Sequence, residues 1–283
     1  MEFKKISVIM AIYNEKEEYL KKAIESILNQ TYENFEFIII LDNPLNSNAK
    51  NTVLNYKKKD ERIIFLENDN NIGLAESLNN GIGIASGEYI ARMDSDDISV
   101  KTRFQKQIEY LSNNPDVDLL FSWTRFIDEK DGYVDDFRPS NKYCSNLKKY
   151  FFEKDLFVHP TLMAKSQVIK NLMYNPNFKY SQDLDLWIRC ITKNLNFSIF
   201  EETLLEYRVV TNSLDYHIFK QKKGSKYTFK VFSNNMPNYY TNYYFIKRYI
   251  SYLLKLIFLN CIPNKILMQV LKLKKRLNKI FSN

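Results

Sequence analysis

Four strand-like runs, Ile6–Ile12, Phe35–Leu41, Ile63–Leu66 and Glu88–Met93, alternate with helix-forming segments over the N-terminal third of the chain. The first two are apolar at nearly every position, as buried strands are. Between them Tyr19, Leu20, Ala23, Ile24, Ile27 and Leu28 recur at helical spacing, and Asn14 with Glu17 three residues on predicts a capping box. A further helix is expected over Leu74–Ala85, ended by Ser86-Gly87. This alternation predicts an α/β domain built on a mostly parallel, Rossmann-like sheet with right-handed crossovers.

The fourth strand runs into Asp94-Ser95-Asp96-Asp97. Three carboxylates in four positions repel one another, and burying them unpaired costs several kcal/mol each. Two readings satisfy them: a turn in water, or a divalent cation with phosphate ligands. Ligands of open α/β sheets bind outside the carboxyl ends of strands, which favours the cation. Asp42 ends the second strand, so it is expected at the same edge as Asp94 and Asp96. A nucleotide suits such a crevice, with Asp42 accepting from the base and the metal on Asp96 neutralising the diphosphate. Asn71-Ile72-Gly73 opens a helix and supplies a tight turn beside that ligand. Taken singly, Asp42 also reads as a turn former and Gly73 as a loop glycine. No GxGxxG or GxxxxGK[ST] is present, which argues against dinucleotide enzymes and P-loop kinases.

Beyond Asp97 the pattern loosens. Helices are expected over Ser99–Asn113, Lys142–Glu153 and Ser181–Lys193, and strands over Val117–Ile127, Leu162–Ala164, Phe197–Phe200 and Leu205–Val210, with a turn at Asp128–Asp136. The 283 residues include 20 Tyr and 20 Phe, enough for a substantial core. Cys144, Cys190 and Cys261 are widely spaced and odd in number, which suits a reducing, cytoplasmic compartment. Met1–Lys5 leads straight into a strand without a signal core, and no stretch is apolar enough to span a bilayer.

Five segments in register resemble the family-two inverting glycosyltransferases of the GT-A fold. They are Ser7-Val8-Ile9-Met10-Ala11-Ile12-Tyr13-Asn14-Glu15, Ser26-Ile27-Leu28-Asn29-Gln30-Thr31-Tyr32, Asn71-Ile72-Gly73-Leu74-Ala75, Gly87-Glu88-Tyr89-Ile90-Ala91-Arg92-Met93-Asp94-Ser95-Asp96-Asp97 and Gln182-Asp183-Leu184-Asp185-Leu186-Trp187. The resemblance runs from about residue 6 to residue 210 and implies a UDP-sugar donor held by Ala11, Tyr13, Glu15, Asp42, Asn71, Gly73, Asp94 and Ser95. In that set Asp42 holds uracil and Tyr13 packs beside it. Asp94 and Asp96 form a DxD pair holding Mn²⁺ or Mg²⁺, with Asp97 supporting the site or facing the donor sugar. Asp183 matches the general base; read alone, it is more readily a first-turn helix acid answering the macrodipole. Gln182 stands where relatives often carry an acid. Tyr207-Arg208-Val209-Val210 lacks the His many relatives have there, so a hold on metal or diphosphate by that His is absent here or passes to Arg208. His159 before Pro160-Thr161 is either a support of the site or a satisfied structural residue. Trp187 either stacks on a sugar or packs the core.

The net charge of +8 is unevenly placed. Residues 214–283 carry fourteen Lys/Arg against Asp215 alone, a net +13, so residues 1–213 carry −5. Apolar residues recur at helical spacing from Tyr239 to Phe281, with a break at Pro263 that predicts two helices. Basic amphipathic helices with aromatics lie on anionic membrane surfaces; the alternative is a helical cap with its lysines in water. Nucleic acid is excluded as partner by the acidic strand edge. The expected organisation is a transferase domain over 1–212, with 1–98 binding the donor and 99–212 the acceptor, and a basic helical tail over 213–283. The expected activity is inverting transfer from a UDP-sugar to a saccharide or polyprenyl-linked acceptor in bacterial surface-polysaccharide synthesis, at the inner face of the plasma membrane. The alternatives are a membrane-docked, non-catalytic binding protein and a sugar nucleotidyltransferase. The second wants a Gly-rich basic loop that Ala11–Glu15 does not supply.

Overall fold

The computed structural model describes residues 4–209, 214–239 and 241–261. The chain divides into two compact units, Met1–Val209 and Val210–Asn283.

In the first unit, β1 (Ile6–Ile12), α1 (Glu17–Leu28), β2 (Phe35–Leu41), α2 (Ser47–Lys57), β3 (Ile63–Glu67), α3 (Leu74–Ile84) and β4 (Tyr89–Asp94) alternate as expected. They are followed by β5 (Ile98–Ser99), α4 (Arg103–Asn113), β6 (Leu119–Ile127), β7 (Tyr133–Phe137), α5 (Asn141–Cys144) and α6 (Leu147–Tyr150). A 3-10 turn at His159–Thr161, β8 (Met163–Lys165), α7 (Ser166–Leu172), α8 (Gln182–Thr192) and β9 (Phe197–Arg208) complete it.

The strands form one sheet in the order β3-β2-β1-β4-β8-β6-β9-β5, with β7 paired to β6. From β3 to β4 all pairs are parallel, so their carboxyl ends share one edge. The chain runs outward from β1 to β3, then returns to place β4 on the other side of β1. That reversal makes β1/β4 a switch point, where a crevice opens. β8 is antiparallel to both β4 and β6, and β6 and β9 are parallel to each other.

Burial on both faces explains why these strands read as continuous apolar runs. Ile6, Val8, Met10 and Ile12 share one core with Leu20, Ala23, Ile24 and Ile27 of α1 and Phe104, Ile108 and Leu111 of α4. α3 covers the opposite face through Gly81, where a Cβ would stand 2.8 Å from Ile40 and 2.9 Å from Ile9. Gln30 fastens α1 to α4: its Nε2 donates to Val100 O at 2.9 Å, and its Oε1 accepts from Phe104 N at 3.1 Å.

Two glycines close in sequence carry opposite consequences. A Cβ on Gly87 would lie 2.7 Å from both Lys5 O and Ser7 N, backbone atoms of the segment running into β1 that cannot rotate away. Gly87→Ala is expected to cost about 3 kcal/mol or more, read as a lowered urea midpoint. Gly83, exposed on α3 with no atom within 4 Å of its Cβ position, is expected to gain about 0.5–1 kcal/mol as Ala.

Glu36 is a buried acid inside an otherwise apolar strand. It accepts from Ser7 Oγ at 2.6 Å, Lys5 Nζ at 2.8 Å, and Ser86 N and Oγ at 2.6 and 2.7 Å. Burial pushes its carboxyl up, but the bonds from Lys5, Ser7 and Ser86 outweigh burial and bring the pKa to about 2. A depressed folded pKa adds stability that is complete above the unfolded value and lost as pH falls toward the folded one. Glu36→Gln is therefore expected to cost about 2 kcal/mol at neutral pH and to flatten the acid arm of the stability curve between about pH 4.5 and pH 2.

Several boundaries differ from expectation. No capping box forms: α1 has Lys16 at its N-cap without a side-chain bond, because Asn14 Oδ1 accepts from Asn43 Nδ2 at 2.7 Å instead. The helix expected from Ser99 starts at Arg103, since Ile98 and Ser99 pair with β9. The turn expected over Asp128–Asp136 narrows to a hairpin, with Asp128 Oδ1 accepting from Lys130 N and Gly132 N at 2.8 Å, and β7 follows. The Lys142–Glu153 helix is two single turns, α5 and α6. The two final short strands are one, β9.

The second unit contains α9 (Leu214–Tyr239) and α10 (Tyr243–Cys261). They pack through aromatic pairs: Phe232 with Phe245 and Tyr252 at 5.0 and 5.7 Å, and Phe229 with Tyr249 at 5.1 Å. The helix expected after Pro263 lies outside the described residues. Among those described, no helix is long and apolar enough to cross a membrane.

Candidate active site

A crevice of ≈ 380 Å³ opens at the switch point, lined by Ala11, Ile12 and Tyr13 from the end of β1, and by Glu15, Asp42, Asn71, Gly73, Leu74, Asp94, Ser95, Asp96, Lys179 and Tyr180. All the residues singled out in the sequence for the donor nucleotide and for metal are there. The parallel register explains it: Ala11 stands opposite both Ile40 of β2 and Asp94 of β4.

Asp42 is buried and already employed. Its Oδ1 accepts from Asn68 Nδ2 and Ile72 N, and its Oδ2 from Gly73 N, each at 2.9 Å. A carboxylate has about four acceptor positions, so three are taken, two of them holding the Ile72-Gly73 turn and one held by Asn68. Gly73 has φ +92°, which a side chain would strain. The turn that walls the crevice is thus fixed by one acid and one glycine.

The acids gather tightly. One carboxylate oxygen each from Asp94, Asp96 and Asp97 lies within 4.8 Å of the others. Asp94 pairs with the buried Arg92. Burial, then the charges of Asp94 and Glu15, raise Asp96 to about 6. Burial, Asp94 and Asp96 hold Asp97 well above the ordinary carboxylate range. Its Oδ1 accepts from Arg208 N at 2.8 Å, whereas its Oδ2 is buried without a hydrogen-bond partner. Glu15, raised by burial, accepts from Tyr13 N at 2.8 Å and bonds with Ser95. An all-oxygen, negative set short of cations is the donor set that hard divalent ions prefer.

Arg208 does not line the crevice. Its Nε donates to Asp96 O at 2.8 Å, its Nη1 donates to Asp128 O at 2.9 Å and pairs with Asp131, and its guanidinium lies over Tyr19. It braces the acidic loop from behind. His159 is buried, with Nε2 2.6 Å from Tyr174 Oη; burial and Arg92 hold it well below its ordinary pKa, hence neutral. Trp187 is buried with its ring edge-on to Phe121 at 5.1 Å, in the core. Gln182 is the buried first residue of α8.

Asp183 is half-buried in the first turn of α8, outside the crevice wall, with Oδ1 accepting from Leu184 N at 2.8 Å. Burial raises its pKa, against lowering by the Leu184 N–H and by Arg92. Lys179 and Tyr180, just ahead of α8, tie this helix start to the crevice. Neither was singled out from sequence; their one signal is their place directly before Ser181-Gln182-Asp183.

A model of the family described as glycosyl transferase family 2 matches residues 7–172, more than half of the chain. An uncharacterized glycosyltransferase of Methanocaldococcus jannaschii is 44% identical over 276 residues, covering 97% of this chain and 95% of its own. The O-antigen biosynthesis glycosyltransferase WbnJ of Escherichia coli is 35% identical over 190 residues, 66% of this chain and 72% of its own. Among solved structures, S. aureus TarS 1-349 in complex with UDP-GlcNAc superposes with a TM-score of 0.63 at 14% identity, over 82% of this chain and 66% of that one. The mannosyltransferase PcManGT from Pyrobaculum calidifontis, in complex with GDP-Man and Mn²⁺, gives 0.62 at 14% identity, over 82% and 64%. The chain spans about two thirds of each of those solved chains. A curled, mainly parallel sheet with flanking helices and a crevice at its switch point is the GT-A fold. The chain belongs to glycosyl transferase family 2, and is by that membership a glycosyltransferase.

Proposed function

We propose that this protein transfers a sugar from a UDP-sugar to an acceptor hydroxyl, with inversion, in the synthesis of a surface polysaccharide. The observation that carries the reading is the convergence of Tyr13, Asp42, Gly73, Asp94 and Asp96 on one crevice, with Asp183 at the start of the helix beside it. Solved relatives in fold are complexes with UDP-GlcNAc and with GDP-Man and Mn²⁺, and sequence relatives include O-antigen and amylovoran glycosyltransferases. These support a nucleotide-sugar donor and a glycan product.

In this reading residues 1–98 supply most of the donor site and 99–212 the acceptor site, with Lys179 and Tyr180 reaching the donor crevice from the second half. Tyr13, half exposed, offers its ring to the base, and Asp42 spends its remaining acceptor position on a base N–H while fixing the wall at Gly73. Lys179, the one cation among the crevice-lining residues, sits where it can balance a diphosphate. Asp94 and Asp96 would hold Mn²⁺ or Mg²⁺, which when bound supplies charge neutralisation for the leaving diphosphate. Asp97 and Arg208 keep the acidic loop in place from behind. Asp183 takes the proton of the acceptor hydroxyl as that oxygen attacks the anomeric carbon and the bond to the diphosphate breaks. An α-linked donor then yields a β-glycoside. The basic tail is assigned to an anionic membrane face, where a polyprenyl-linked acceptor would reside.

The test is nucleotide release from a panel of UDP-sugars and GDP-mannose, with Mn²⁺ or with EDTA, beside thermal shift. Metal-dependent UDP release from one sugar is the expected result. Release from GDP-mannose alone would overturn the uridine assignment, and no response to any nucleotide sugar would overturn the donor reading altogether.

A further inference from the structure

We infer that α10 is an interfacial helix whose outward face, Ile250, Leu254, Ile257 and Phe258, seats in the surface of an anionic lipid bilayer. This deepens the membrane assignment of the proposed function but involves no residue of the crevice, so either can fail alone.

α10 is apolar on two opposite sides. Phe245, Tyr249 and Tyr252 pack against Phe229 and Phe232 of α9. Half a turn away, Ile250, Leu254, Ile257 and Phe258 recur at spacings of four, three and one, which is one helix face. These four are exposed at 47%, 60%, 51% and 49%. A run of large aliphatic and aromatic side chains left in water on one face marks an interaction site.

The charge on the same unit selects the occupant. α10 carries Lys247, Arg248 and Lys255 and no acid. Lys247 and Lys255 are exposed beside the apolar stripe. On α9 the exposed Lys223, Lys226 and Lys230, spaced three and four apart, make a basic stripe. A second copy of this chain would bring the same positive charge to the contact and be repelled. A bilayer surface with acidic headgroups offers hydrocarbon to the stripe and anions to the lysines together. The three basic residues within 19 keep α10 from crossing, so it lies in the surface rather than through it.

The experiment is co-sedimentation of the full chain with vesicles of phosphatidylcholine alone or mixed with phosphatidylglycerol, at low and high salt. Binding is expected only to the mixed vesicles and to weaken with salt. Leu254→Glu/Phe258→Glu is expected to lose at least about twentyfold in partition, with an unchanged thermal midpoint because both side chains are exposed. Lys247→Gln/Lys255→Gln is expected to lose a comparable factor, at about fivefold for each charge removed, and part of the salt sensitivity with it. Failure of the full chain to sediment with the mixed vesicles would overturn the inference. So would unchanged binding by the Leu254/Phe258 variant. A dimer in light scattering that this variant dissociates, with no vesicle binding, would overturn it too and assign the face to a second copy. Nucleotide release measured on the same samples keeps this outcome separate from that of the transferase reading.

Discussion

Asp183→Asn is expected to lower the rate of sugar transfer by about 10²–10⁴-fold, with donor affinity changed by no more than about twofold. The substitution keeps the shape of the side chain and an oxygen that can still accept from Leu184 N, so α8 should start where it does now. It removes only the capacity to take a proton. Because burial raises the Asp183 carboxyl above its ordinary range, the wild-type single-turnover rate should rise with pH through that raised pKa and level off above it. In the variant this limb should vanish from whatever rate remains. Acids of the crevice also titrate, so the donor dissociation constant must be followed over the same pH range: a limb in affinity belongs to the crevice, a limb in rate to Asp183. An Asp183→Asn protein that transfers sugar at the wild-type rate would sink the base assignment. It would leave Asp183 as a first-turn acid that steadies a helix.

Much of this arrangement could be read from sequence because it depends on local pattern. Ile6–Ile12 and Phe35–Leu41 are apolar on both faces, and a parallel sheet is the fold that buries strands so. Once the first four strands are parallel, the carboxyl-end residues Tyr13, Asp42 and Asp94 must share an edge. The parts that escaped depend on partners far along the chain. β5 is two residues long, with Ser99 expected to open a helix, and it forms only by pairing with Leu205 and Glu206 of β9. Glu36 looks misplaced in an apolar run until Ser7 and Ser86 are brought to it. Arg208, weighed as a diphosphate ligand, is spent on Asp96 O and on Asp128 O and Asp131, contacts set by the pairing of β9 with β6. Lys179 and Tyr180 sit in a loop without periodicity, so nothing but proximity to Asp183 marks them. Asn14 has cap chemistry, yet its oxygen is taken by Asn43 across the strand ends; a local rule yielded to a non-local bond.

Asp96→Asn is expected to move function and stability in opposite directions. Asp96 is one of three carboxylates within 4.8 Å, and burial together with Asp94 and Glu15 makes its charge unfavourable in the folded chain. Without metal, neutralising it should raise stability by about 1–2 kcal/mol, seen as a higher thermal midpoint in EDTA. The same change removes a hard oxygen anion from the donor set proposed for Mn²⁺ or Mg²⁺. Transfer should fall by about 10³-fold or more. The rise in midpoint on adding Mn²⁺ to the wild-type protein should shrink or disappear, since a ligand stabilises only as far as it binds the native state. Two other results would each carry a distinct meaning. A variant no more stable in EDTA would show that the cluster is already relieved by Arg92, which pairs with Asp94. A variant that keeps the full Mn²⁺ shift would move the metal away from Asp96, leaving the acidic loop without the ion that its charge demands. The expected pattern, a site that destabilises the empty protein and is relieved by its own ligand, is the trade a binding site makes when its charges are assembled in advance.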